Sequence, residues 1–166
     1  MAVELIVGTN TYASIAEAGI YFSERLNADI WYNASADRKA QSMVMATRRI
    51  DRLRLKGRKA NLGQILQFPR AFYSHGLSNL EYTDGYPSDG WTVEASIAQC
   101  VKDACCEEAL SLLTGISKRQ ELQHQGVTSF TIGDLSESYK NMGTRLQSKD
   151  AYELLRPYLV GGVTIT

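Results

Sequence analysis

Few side chains in this 166-residue sequence are placed to do chemistry. The two histidines, His75 and His124, lie in loop-like contexts without a Cys, Asp or Glu at metal-ligand spacing, so both read as surface imidazoles. Three cysteines, Cys100, Cys105 and Cys106, fall within seven positions. An odd, clustered set is unlike a secreted disulfide framework, and adjacent helical residues point about 100° apart, so the expectation is reduced thiols packed in or near a core. Pairing Cys105 with a histidine as a nucleophile would need an accessible, electropositive thiol, whereas Ala104, Ala109 and Leu112 surround it with apolar groups. Glu107 and Glu108 occupy neighbouring helix positions and face apart, which suits two solvated carboxylates rather than a shared proton. Neither a G-x-x-x-x-G-K-[ST] loop nor a G-x-G-x-x-G fingerprint is present. The expectation is a protein that is not an enzyme and carries no cofactor or metal.

Charge is the more informative signal. Lys plus Arg equals Asp plus Glu at 18 each, which removes the overall basic balance of a general nucleic-acid binder. The distribution is uneven. Arg48, Arg49, Arg52, Arg54, Lys56, Arg58 and Lys59 stand against Asp51 alone, a net +6 over twelve positions. Glu81, Asp84, Asp89, Glu94, Asp103, Glu107 and Glu108 stand against Lys102 alone, a net −6. Three readings remain open for the basic cluster. It could meet a nucleic-acid backbone, where counterion release rewards clustered cations. It could meet the acidic face of a neighbouring copy in a head-to-tail interface. It could be spent on pairing within the chain or on solvated helix faces. For single-stranded nucleic acid, Tyr73, Tyr82 and Tyr86 are the nearest stacking candidates.

The elements that must position these residues are mostly helical. Ser14-Ile15-Ala16-Glu17 is a capping box, and Ile15, Ala18, Tyr21, Phe22 and Leu26 predict a helix over about 14–26. Asn27-Ala28-Asp29 breaks it, and Trp31 and Tyr32 form an aromatic anchor. Ser35 caps a longer helix, about 36–54, with Ala40, Met43, Val44, Thr47, Ile50 and Leu53 as its core stripe. Gly57 and Gly63 frame a loop to Pro69, and 71–91 reads as irregular. A third long helix is expected from about Val93 to Leu113 or Thr114, stopped by Gly115. Segment 126–139 alternates as an extended arm or short hairpin, and Ser148 caps a last helix to about Leu155, before Pro157. The apolar tail, with Tyr158, Leu159, Val160, Val163 and Ile165, should dock on its own domain or on another chain.

The length suits one domain over 1–166: a helical core at about 14–115, an arm at about 126–139, and a helix and tail at about 148–166. The fold class expected is mainly α, a small antiparallel bundle of about four helices with extended arms or a short β-hairpin and an extended C-terminal tail. No run approaches the ~20 apolar residues needed to cross a bilayer, and Glu4 stands where a signal peptide wants a cation, so neither a membrane role nor export is expected.

Several blocks together carry a resemblance. YASIAEAGIYFSERL (12–26), ATRRIDRLRLKGRKA (46–60), QILQFPR (64–70), VKDACCEEALSLL (101–113), GVTSFTIGDLSESY (126–139) and LLRPYLVGG (154–162) resemble the head-to-tail adaptor, or head completion, proteins of tailed bacteriophages. A related domain bears the label DnaT-like, a name implying single-stranded DNA binding. The stretch 71–92 is longer and richer in Tyr and Gly than the adaptor pattern. The resemblance implies a ring of about a dozen copies beneath the portal, lining a channel for genome duplex that is contacted without sequence reading. It implies a portal and a stopper or tail-completion protein as partners, with 126–139 and 157–166 as binding arms. The site would be the virion neck, reached from the host cytoplasm during assembly.

Overall fold

The computed structural model describes residues 3–73, 91–115, 129–132, 135–138 and 146–160. His75, His124, Tyr82, Tyr86, Val163 and Ile165, with Glu81, Asp84 and Asp89, lie outside them.

Helix α1 (Ile15–Ser23) begins with the expected capping box: Ser14 Oγ accepts from the Glu17 N–H and Glu17 accepts from the Ser14 N–H. It stops three residues before Leu26, where the N–H groups of Glu24 and Arg25 turn to the Tyr21 and Phe22 carbonyls, and Asn27 then takes a left-handed conformation (φ 59°) and turns the chain. A five-residue helix that the sequence did not announce, α2 (Asp29–Asn33), follows and drives Trp31 against Phe22 at 4.8 Å. In α3 (Ala36–Ile50), capped by Ser35, the predicted stripe Ala40, Met43, Val44, Thr47 and Ile50 is buried. This helix ends at Ile50 rather than near 54, and Asp51 becomes its C-terminal cap.

α4 (Gln99–Thr114) closes on Gly115 at φ 84°, as expected, but starts later than Val93 because Trp91–Val93 is spent on a strand. α5 (Lys149–Leu155), capped by the Ser148 hydroxyl, runs into one 3-10 turn at Arg156–Tyr158. α4 is the hub: α3 and α5 pack most extensively on it, and α1 and α2 also touch it. Tyr12, Phe22, Trp31, Met43, Ile50, Phe68, Val101, Cys105 and Leu155 form one fully buried cluster. Each large apolar side chain so buried contributes roughly 1.5–3 kcal/mol.

The loop expected up to Pro69 is irregular over 60–69, but its two flanks and the ends of the 71–91 stretch form a sheet, while 74–90 lies outside the described residues. β1 (Arg58–Lys59), β2 (Arg70–Tyr73) and β3 (Trp91–Val93) pair antiparallel in that order. Strands of two to four residues carry too little alternation to stand out in a sequence. Gly57, at φ 71°, lets β1 reach β2, since a Cβ there would lie 2.2 Å from the Ala71 carbonyl oxygen. The 126–139 segment contains an antiparallel pair, β4 (Ser129–Ile132) and β5 (Leu135–Ser138). The fold is therefore mainly α, about half of the described residues being helical, but among the described residues five α-helices packed mainly on α4, with a small sheet beside them, replace the simple bundle of four. Among the described residues no helix is long and apolar enough to cross a membrane.

Candidate nucleic-acid interface

Strand register decides which side chains share a surface. Arg58 pairs with Ala71, Ala71 with Val93, and Tyr73 with Trp91, so alternation puts Arg58, Tyr73 and Trp91 on one face of the sheet. The Arg58 guanidinium carbon lies 4.0 Å from the centre of the Trp91 ring, and the half-exposed Tyr73 ring meets Trp91 edge-on at 5.4 Å. This is a cation–π contact beside an aromatic pair. Trp91 was not singled out in the sequence, where it closed a stretch read as irregular. The signal that could have found it is the pair of short runs Arg-Ala-Phe-Tyr and Trp-Thr-Val, both rich in strand-favouring residues.

The basic cluster divides in two. Arg48, Arg52, Arg54, Lys56 and Arg58 are exposed, leading from the end of α3 into β1. Arg49 turns inward and donates from Nη1 to Glu108 Oε1 at 2.8 Å. Lys59 donates to the Gln64 and Ile65 carbonyls and fastens the 61–66 turn. Arg70, outside the predicted cluster, is buried and donates to the carbonyls of Lys56 (2.7 Å), Gly57 (2.9 Å) and Gln67 (3.1 Å). It thereby ties the basic run to β2.

The expectation of solvated Glu107 and Glu108 is corrected. Glu107 accepts from both the Arg25 guanidinium and the Tyr21 hydroxyl. Glu108, with no exposed surface, accepts from Arg49 and from the backbone N–H groups of Gln147 and Ser148. Both are buried because their partners lie on α1, α3 and the approach to α5, far away in sequence. Glu94 accepts from the Arg70 N–H and the Tyr158 hydroxyl. These three carboxylates are thus held by partners within the domain.

Cys105 and Cys106 are buried free thiols, as expected, and Cys100 is half-buried. Burial pushes the Cys105 thiol up to about 11 and raises that of Cys106 as well. Thiols so shifted stay protonated at neutral pH and are poor nucleophiles. Among the described residues no group of three or more His, Cys, Asp or Glu is gathered to hold a metal ion. Of the predicted arm, Tyr158 and Leu159 dock on the chain's own domain: Leu159 forms an antiparallel bridge with Leu55, and the Val160 N–H donates to the Arg54 carbonyl at 3.0 Å.

Residues 4–166 match the model of a family described as putative DnaT-like ssDNA binding protein. The chain belongs to that DnaT-like family. No curated protein and no solved structure matches it. In this DnaT-like chain the match takes in the basic run, all three strands of the small sheet and the C-terminal segment packed against them.

Proposed function

We propose that this chain is a non-catalytic, sequence-independent binder of single-stranded DNA. The observation that carries the reading is the Arg58 guanidinium seated over Trp91 beside Tyr73, where a run of exposed cations ends. Stacking on an aromatic side chain contributes about 1–3 kcal/mol per base and tolerates every base. The planar guanidinium adds a second stacking surface and a permanent charge. Exposed Arg48, Arg54 and Lys56 supply contacts to phosphates, each rewarded by counterion release. Duplex DNA keeps its base faces inside the stack, so the aromatic part of this surface favours a single strand. Membership of a family described by that ligand supports the same reading. Buried, protonated thiols support its non-catalytic side.

Fluorescence anisotropy with a labelled oligo(dT) and a duplex of equal length tests the proposal. The expected result is preference for the single strand and a steep loss of affinity between about 50 and 200 mM salt. Equal affinity for the two forms, or no binding at about 50 mM, rejects it.

A second reading is favoured by exposed apolar side chains, Leu62 at 96% and Leu26 at 84% with Ile20 and Ile65, which suit a chain that has protein neighbours. Together with the block-by-block resemblance, this supports a head-to-tail adaptor of a tailed phage: a ring beneath the portal whose basic run faces genome duplex. Its arms would grip the portal and its far face a stopper or tail-completion protein, in the neck of the virion. Rings in electron micrographs of the chain mixed with its portal would support this reading. A monomer that leaves the portal bare would reject it.

A further inference from the structure

We infer that Tyr158 is the positioning residue of the proposed DNA-binding surface, an inference that rests on that reading. Three parts of the surface meet at this one residue. Its carbonyl accepts from the Lys56 N–H at 2.7 Å, and the adjoining Leu159–Leu55 bridge, Val160 N–H to Arg54 carbonyl bond and Lys56 ammonium to Pro157 carbonyl bond (3.1 Å) extend the junction along the basic run. Its ring meets Phe68 edge-on at 5.0 Å and Phe72 at 5.8 Å, and Phe72 is the β2 neighbour of Tyr73. Its hydroxyl donates to Glu94 Oε1 at 2.6 Å, just beyond the strand that carries Trp91. The other Glu94 oxygen accepts from the Arg70 N–H at 2.9 Å.

The physical need for such a tie follows from the shortness of β1. Two paired residues cannot by themselves fix the path of 54–56, which lies in neither helix nor sheet. Cations at 54–56 and the platform at 58, 73 and 91 act on one strand together only if their spacing is set beforehand; otherwise ordering them opposes binding. Tyr158 sets that spacing from the C-terminal side, beside the buried Arg70 that holds the Lys56 and Gly57 carbonyls, and is itself uncharged. Burial and the neighbouring Glu94 raise its phenol pKa, so the hydroxyl stays a donor through neutral pH.

Binding of labelled oligo(dT) across a salt series, for wild type, Tyr158→Phe and Tyr158→Ala, tests the inference alongside amide exchange. Tyr158→Phe keeps the ring and is expected to bind about 2–3-fold more weakly, the loss of one modest hydrogen bond. Tyr158→Ala is expected to bind about tenfold more weakly, with a salt slope shallower by about 1.4, equivalent to two phosphates at about 0.7 each. Its amides at 54–56 and 91–93 should exchange faster together. A folded Tyr158→Ala protein with wild-type affinity and slope overturns the inference. So does a weakened one whose slope is unchanged and whose loss equals its unfolded fraction. Wild type that binds no oligonucleotide sinks the proposed function instead, and separate exchange behaviour of the two segments would sink the positioning role independently of DNA.

Discussion

The Tyr12 hydroxyl donates to the Asp51 carboxylate, joining the entry to α1 with the cap of α3. The Gln67 N–H donates to the Tyr12 hydroxyl oxygen at 3.2 Å, and Phe68 lies edge-on to the Tyr12 ring at 5.6 Å. Three segments distant in sequence thus converge on one phenol. Burial raises the Asp51 pKa while the Tyr12 hydrogen bond opposes the rise.

Removing that hydroxyl leaves a part-buried carboxylate without its strongest neutral donor. Tyr12→Phe is expected to lower stability by about 1–3 kcal/mol, read from the urea midpoint at unchanged slope. No change in midpoint would show that water replaces the phenol at no cost.

Glu108 joins α4 to Arg49 of α3 and to the N–H groups that lead into α5. Glu108→Gln deprives the part-buried Arg49 of its counter-charge and removes one acceptor from the Gln147 and Ser148 N–H groups, which is expected to lower stability by about 1–3 kcal/mol. Hydrogen exchange should place the largest loss of protection at Gln147–Ala151. Protection lost evenly over the chain would contradict a local anchoring role.

Acid should act through Glu17. The hydrogen bond from the Lys102 ammonium, and then that from the Ser14 N–H, hold its carboxyl at about 2, below its ordinary 4.5. Because the folded value is depressed, the stabilisation is present above 4.5 and disappears as pH falls from there towards 2. Glu17→Gln should flatten the pH dependence of the melting temperature in that window and leave the rest of the profile unaltered.

The two halves of the proposed interface should separate in a titration. Trp91→Ala or Tyr73→Ala is expected to weaken oligo(dT) binding about 5–150-fold with an unchanged salt slope, as loss of about 1–3 kcal/mol of stacking requires. Arg48→Ala combined with Arg54→Ala should instead reduce the slope by about 1.4. Slope changes in the aromatic variants would mean that stacking is not their role.

Thiol chemistry offers a simple check. Iodoacetamide at neutral pH should leave Cys105 and Cys106 unmodified in the native protein and label them in urea, because both are buried and held protonated. Rapid native labelling of Cys105 would revive it as a nucleophile.

The features legible in the sequence were those with local causes. The caps at Ser14, Ser35 and Ser148, the buried stripe of α3 and the stop at Gly115 depend on residues within a turn or two of one another. The exposed part of the basic run was likewise visible as composition. What stayed hidden depends on distant partners: the burial of Glu107 and Glu108, the inward turn of Arg49, and the meeting of Arg58, Tyr73 and Trp91 across strands too short to announce themselves. That Tyr158 would dock was expected, but apolar composition does not say whether its own domain or another chain receives it.

The Gln147 side-chain amide donates to the carbonyls of Ser111 and Gly115, at 2.8 and 2.7 Å, so the chain departs from α4 and returns towards α5 at nearly the same place. One side chain thus clasps the two ends of the segment between Gly115 and Leu146, and Leu146 itself is buried in the core. Doubling the length of a loop closed at its base costs only about 0.6 kcal/mol of closure entropy. An insertion between those two ends, with Leu146 and Gln147 kept, is therefore expected to be borne at little thermodynamic expense.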